Sequence, residues 1–383
     1  MLNLSSEFPI AQSHSYLNTA AQGPWPTRTT LAVQQMAAQA QVPGTDRSQS
    51  GSALCALARE RLAQLLHVQS DDLVFGPNTT YGLNVCTHGI DWREGDNLVV
   101  PAREFPSVQY SLAHLHKLGA TIRKVDWQGS GPTVDQIMAQ VDMRTRAVIC
   151  SAIAWDTGYR MDIETLGVRC AQAGCLLIVD GIHAVGAEYL DLKALQVSAF
   201  AFHGYKWLMA GFGLGGLYVA PEALNQIKPT FVGPLGVTAD VMGVQDPPQW
   251  RNGAQRFATG NENFIGAAAL NASLTLIEEV GIEQIQAHNY ELASMLADGL
   301  KRHLPNSHVL RSDAPSHQSA IVVFRTGDTQ TDTALVDNLA AKDIIVALRP
   351  QGIRVSPHLF NTAQDIENLL AAIWRLPSMN GSQ

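Results

Sequence analysis

The sequence predicts an α/β protein: a large domain built on a mainly parallel seven-stranded sheet, followed by a smaller α/β domain. Seven short apolar runs, at about 72–75, 97–101, 121–125, 146–151, 176–180, 198–203 and 215–220, are mostly separated by helix-length segments, the alternation that crossover-connected parallel strands produce. The last two runs lie too close together for a crossover, so one strand runs antiparallel. The chain has 383 residues, 46% of them apolar, which exceeds one typical domain and supplies core for two lobes.

Taken in order, residues 1–25 end in YLNTAAQGPWP, rich in turn formers and outside any periodic segment, and read as an irregular arm ahead of a large domain spanning 26–255. From Gly51 to Val68, Leu54, Leu57, Leu62, Leu65 and Leu66 recur at helical spacing with Arg59, Glu60 and Gln64 between them, which gives an amphipathic helix. In GPNTTYGLNV, Asn78 or Thr79 can cap a helix whose free N–H groups suit an anion. Gly211 to Gly216 contain a literal G-x-G-x-x-G, but it runs into a strand instead of opening a helix, so a dinucleotide site is rejected in favour of a tight turn. Residues 221–255 are weakly periodic and rich in Pro and Gly, as a surface excursion is. Helices Phe264 to Val280 and Gln284 to Leu304, strands near 319–325 and 344–348, and a closing helix Thr362 to Leu376 form the smaller domain, 256–383.

The formal charge of −8 and the lack of any dense Lys/Arg block argue against nucleic acid or anionic membrane as partner. No apolar stretch approaches the roughly 18 residues that span a bilayer, and the N-terminus lacks the pattern of a signal peptide, so a cytoplasmic location is expected. Five cysteines without a CxxC pair read as reduced core thiols. Twelve histidines without HxxxH or Cys/His clustering predict no metal. The ligand is expected to be small.

The chemistry concentrates in residues 176–219. One apolar run ends in Asp180, a second ends just before Lys206, and in an open α/β sheet such strand ends project into the ligand crevice. Pyridoxal phosphate (PLP) needs that pair, because a lysine holds its aldehyde as an imine while an acid keeps the pyridine nitrogen protonated. Read singly, Lys206 is a solvated loop residue and Asp180 a turn former. Together, VDGIHAVGA, HGYKWL and GFGLGGLYV resemble the class V aminotransferase superfamily of fold-type-I PLP enzymes, which includes cysteine desulfurases, isopenicillin N epimerase and kynureninase.

That resemblance implies roles residue by residue. Lys206 carries PLP and shuttles the Cα proton, and Asp180 binds the pyridine nitrogen, kept ionised by the nearby cation. Thr79 and Thr80 belong to the phosphate loop. Phe105 stands where desulfurases carry a histidine stacked on the ring, and a phenyl group cannot move a proton. His183 lies near the ring hydroxyl, and Thr157 substitutes weakly for an absent asparagine near that hydroxyl, Ala152 standing in its place. His203 and Tyr205 replace the serine and histidine of the family's SGHK motif on the phosphate side. RFATGNENFIG resembles the segment that reaches the neighbouring subunit's phosphate, with Asn261 in place of threonine, which implies a homodimer. YLNTAA resembles the N-terminal motif along the substrate pocket and makes Asn18 a substrate contact. RVSPHLFNT resembles the segment whose arginine, here Arg354, clamps the substrate carboxylate.

The implied function is a PLP-dependent enzyme acting on an amino acid, first an aminotransferase, with a carbon–sulfur β-lyase or an epimerase as alternatives on the same fold. The Val346 to Arg354 connection is short and has no cysteine, which argues against a desulfurase that forms a protein-bound persulfide. A non-catalytic PLP-binding regulator is the rival of another class; such regulators carry a basic DNA-binding domain, for which there is no room ahead of Tyr16.

Overall fold

The computed structural model describes residues 4–39, 41–42, 47–238, 243–244, 246–303 and 309–374. Its large sheet comprises β2 (Leu73–Gly76), β3 (Asn97–Pro101), β4 (Thr121–Val125), β5 (Thr145–Ser151), β6 (Leu176–Asp180), β7 (Ala199–His203) and β8 (Gly215–Val219), after a short β1 (Ser15–Tyr16) in the arm. All seven expected strands are present. The order is β2-β8-β7-β6-β5-β3-β4, and β8 is the single reversed strand, antiparallel to both neighbours. Strands β3, β6, β7 and β8 are buried throughout, as expected for a sheet covered on both faces. The chain runs from β3 outward to β4 and returns to β5 on the other side of β3, so the order reverses between β3 and β5. Ligands bind at such switch points, beyond the carboxyl ends of the strands.

Helix α1 (Thr27–Gln39) and α2 (Arg47–Leu66) precede the sheet; α3 (Thr79–Gly89), α4 (Pro106–Ser111), α5 (Val134–Met138) and α6 (Ile163–Ala173) lie between its strands. Asn78 caps α3, its side chain accepting from the N–H of Tyr81. After the sheet come α7 (Phe264–Val280), α8 (Ile282–His303), β9 (Val322–Phe324), α9 (Thr329–Ala340), β10 (Ile344–Ile345), β11 (Ala347–Arg349), β12 (Gly352–Val355) and α10 (Ala363–Trp374). The strand expected at 344–348 is thus two, broken at Val346, and Leu304 and residues 375–376 of the expected helices lie outside the described residues.

Packing sets α7, which lies beyond the expected boundary at 255/256, against the large domain. Helix α7 rests on α1 and α2: Arg61 donates to the Asn271 carbonyl (2.9 Å), Asn271 donates to the Leu54 carbonyl (2.8 Å), and Leu270, Leu274 and Ile277 join the large-domain core. A second core takes in Leu292 and Leu296 of α8 with Phe324, Val355 and Leu369. Apolar periodicity locates a helix but not the partner its apolar face chooses.

The N-terminal arm joins the two cores. Strand β1 pairs in parallel with β10, Asn18 bridges to Ser356, and Leu17 is fully buried in the second core while Phe8 and Ala20 sit in the first. Further on, the Gly23 N–H donates to the Tyr205 carbonyl (2.9 Å), and a Cβ at Gly23 would lie 2.0 Å from the carbonyl oxygen of Lys206. Only glycine lets the arm pass this close to the lysine loop. In that loop Gly211 has φ +83°, as the tight-turn reading requires.

Leu17→Ala leaves a cavity where the arm enters the second core, and a loss of about 2–5 kcal/mol is expected. Denaturant titration measures it, and an unchanged midpoint would show that the arm is not anchored there.

Candidate active site

One cleft at the switch point is lined by residues from four strand ends and the start of α3. Asp180 ends β6, Ser151 ends β5, Phe105 follows β3, and His203, Tyr205 and Lys206 follow β7; Thr79, Thr80 and His183 complete the expected set. Eight of the expected cofactor residues therefore meet in one place, and register adds a neighbour to one of them: Ser151 pairs directly with Asp180 on the adjacent strand. Asn261 does not line the cleft; it is exposed in the segment leading to α7. Asn18 and Arg354 lie outside the lining, on the small-domain side, where Arg354 reaches the carbonyl of the cleft residue Trp155 (3.0 Å).

Lys206 and Asp180 are only 7% and 3% exposed, so the water that normally stabilises their charges is largely gone. Burial, then the positive charge of Arg354, pushes the Lys206 amine down to about 7, with Asp180 opposing. Burial lifts the Asp180 carboxyl to about 6 against the Ile182 N–H, which donates to it (3.0 Å), and the Lys206 charge. The Ile182 N–H holds the Asp180 carboxyl down first, and the Lys206 charge adds to it.

His183 sits beside the amine, its Nε2 3.3 Å from Lys206 Nζ, while its Nδ1 faces the Trp207 indole nitrogen at 3.3 Å. An indole N–H can only donate, so Nδ1 accepts and the ring proton resides on Nε2, pointing at the amine. Burial, then the charge of Lys206, holds this imidazole far below its usual range, so it is neutral. Phe105 lines the same cleft, its ring centre 5.9 Å from Nζ and edge-on to Trp155.

Thr79 Oγ1 is buried and finds no partner among the described residues, in the first turn of α3. Thr80 instead spends its proton on Ser107 Oγ (2.8 Å). His203 Nδ1 accepts from the Tyr205 N–H (3.2 Å); burial, then Lys206, lowers its pKa to about 4, opposed by a hydrogen bond to the Pro77 backbone. His203 thus joins the lysine loop to the segment before α3 and lines the cleft on the same side as Thr79. Thr157 is corrected outright: it is buried, donates to the Ser130 carbonyl, and does not line the cleft.

Ser107, Ser151, Trp155 and Glu104 were not anticipated as site residues. The Glu104 carboxylate accepts from the N–H (2.7 Å) and the hydroxyl of Ser151, and burial raises it to about 7. Counting to the end of the fourth strand run would have found Ser151, since parallel strand ends converge on one crevice.

A buried amine and carboxylate at the switch point of a seven-stranded sheet, with an anion-ready helix start beside them, define a fold-type-I PLP enzyme. The model of the class-V aminotransferase family matches residues 15–369, and the chain belongs to that family. A probable cysteine desulfurase of Methanothermobacter thermautotrophicus is 28% identical over 300 residues, covering 76% of this chain and 73% of the relative. An uncharacterised aminotransferase of Bacillus subtilis, YcbU, is 24% identical over 367 residues, covering 96% and 95%. Among solved structures, the cystine C–S lyase C-DES in complex with its product cysteine persulfide shares 27% identity and a TM-score of 0.88, covering 96% and 99%. A C-DES lysine variant with glycine covalently linked to the PLP cofactor gives 26%, 0.89, 97% and 99%. The protein is a PLP-dependent enzyme, a transferase or a lyase, and its cleft fits the cofactor: the unpartnered Thr79 hydroxyl at a helix start suits a phosphate, and the buried amine and acid suit the aldehyde and the ring nitrogen.

The pH dependence of cofactor capture follows from the lowered amine. Only the neutral amine attacks an aldehyde, so capture of PLP by the apoprotein should rise with pH and level off just above pH 7, not near the ordinary lysine value of about 10.4. Asp180→Asn removes the opposing charge and should move the midpoint lower. Rapid-mixing absorbance measures both, and a rate still climbing tenfold per unit at pH 9 would contradict the buried-amine account.

Proposed function

We propose that Lys206 is the PLP lysine and the Cα base, and that the reaction is β-elimination of a sulfur substituent from an L-cysteine derivative. What supports the first part is the amine itself, buried, lowered to about 7 and held beside a neutral His183. Bound PLP supplies an electron sink for the pair left at Cα when a proton departs. Lys206 Nζ takes that proton, its pKa lowered to about 7 so that the free base is accessible at neutral pH. Asp180 holds the ring nitrogen protonated, the His183 Nε2–H serves the ring hydroxyl, and Thr79 with the first N–H groups of α3 holds the phosphate. Arg354, only 2% exposed and with Nε and Nη2 unpartnered among the described residues, takes the α-carboxylate, with Asn18 beside it.

Elimination is favoured over persulfide transfer by the placement of sulfur. All five thiols are buried, and β11 and β12 are joined by only Pro350 and Gln351, leaving no loop to carry a thiol to the substrate. Phe105 also has no proton to give where desulfurases have histidine. The likeness to the C–S lyase C-DES over nearly the whole chain supports release of a small sulfur product. Transamination is the second reading, supported by the match to YcbU along 96% of the chain. The protein is proposed to work as a homodimer: Asn261 faces solvent, where a second subunit's phosphate could be reached, and Phe212, Phe231 and Val232 expose apolar surface.

Incubating the holoenzyme with L-cystine and S-substituted L-cysteines tests the outcome. Pyruvate and ammonia equimolar with a released sulfur fragment are expected. A keto acid retaining the substrate's side chain would favour transamination, the D-isomer epimerisation, and a persulfide on the protein would contradict the argument from buried thiols.

A further inference from the structure

The small domain places a second arginine beside the first. In the β11–β12 hairpin Ala347 pairs with Arg354 and Arg349 with Gly352. Directly opposed residues share a face, as do residues two apart, so Arg349 and Arg354 project from the same side as diagonal neighbours, with Cβ atoms about 7–8 Å apart. Across the hairpin their partners are a methyl group and a glycine, while on the other side of β12 Arg354 pairs with Val323 of β9 and the Arg325 side chain packs at Gly352. The opposite face, with Val346, Leu348, Ile353 and Val355, packs into the small-domain core. The arginine face is turned to the large domain, where Arg354 Nη1 donates to the carbonyl of the cleft residue Trp155 (3.0 Å).

Neither arginine has a carboxylate within ion-pair distance among the described residues. Arg349 is half-buried and, among the described residues, donates only to the carbonyl of its neighbour Leu348 (2.9 Å). Two unneutralised guanidinium groups repel each other; burial and the charge of Arg349 push Arg354 down to about 9. The charge of Arg349 also bears on Lys206, His183 and Tyr205, so it acts on the cleft itself. One carboxylate satisfies one planar fork, and Arg354 is already assigned to the α-carboxylate.

We propose that Arg349 receives a second acidic group, so that the substrate is an amino acid whose side chain ends in a carboxylate. This rests on the reading of Lys206 and Arg354 as the amino-acid site and adds the substrate class. Within the sulfur series it selects cysteine derivatives with an acidic sulfur substituent over neutral ones. Arg349 would then be a specificity residue, in contact with substrate but remote from Cα.

The probes are S-carboxymethyl-L-cysteine and its neutral isostere S-carbamoylmethyl-L-cysteine, titrated calorimetrically into holoenzyme reduced with borohydride. No turnover occurs in that form, so the result does not depend on which bond the enzyme breaks. Failure of the Lys206 reading shows separately, as cofactor fixed elsewhere or not at all. Wild type should bind the acid at least about tenfold more tightly than the amide. Arg349→Met should abolish that preference while leaving amide binding within about threefold, and Arg349→Lys should keep part of it through charge alone. Equal binding of the two probes by wild type, no binding of either, or a parallel loss of both in Arg349→Met together with Arg349→Lys, would overturn the assignment.

Discussion

The structure depends on keeping a lysine amine inside the protein. A buried ammonium group is costly, and its pKa falls until the neutral form is accessible at physiological pH. Here Asp180 offsets part of that cost, while Arg354 and Arg349 add to it. The surrounding architecture holds this balance. Asp180 and Ser151 are fixed by strand register, the lysine loop is pinned by the Gly23 N–H on Tyr205, and the His183 tautomer is set by the Trp207 indole. An amine with less burial would be a protonated surface lysine, and without the neighbouring acid its environment would be purely cationic.

The two cores are tied to each other close to that amine. His358 Nε2 lies 3.0 Å from the Trp207 carbonyl and its Nδ1 3.2 Å from the amide of Asn289 in α8, so buried small-domain groups grip the residue that orients His183. Glu188 in the large domain accepts from both Arg160 and the Tyr290 hydroxyl of α8. Arg354 spans the same gap to Trp155. Removing one member of such a buried set leaves its partners unsatisfied, which costs more than the bond contributes.

Most of the scaffold was legible in the sequence because it rests on local patterns. The seven strands follow from apolar runs and the reversed strand from one short connection, while Asp180 and Lys206 follow from strand ends within recognisable motifs. What was not legible depends on long-range geometry. Helix α7 has the same apolar spacing whichever core it joins, and it joined the large one. Thr157 carries a polar group suited to a cofactor, but the Ser130 carbonyl claims it first. Glu104 shows as a site residue only once β3 and β5 are neighbours and its carboxylate meets Ser151. Arg349 reads as a surface charge until the hairpin register sets it beside Arg354.

The central claim is that Lys206, among all the lysines of the chain, carries the cofactor. Borohydride reduction of the holoenzyme followed by proteolysis and mass mapping tests it most directly. The expected result is a single phosphopyridoxyl adduct on the peptide containing HGYKWL, lost together with the yellow colour in Lys206→Ala. An adduct on a different lysine, or full cofactor retention by Lys206→Ala with unchanged absorbance, would contradict the account.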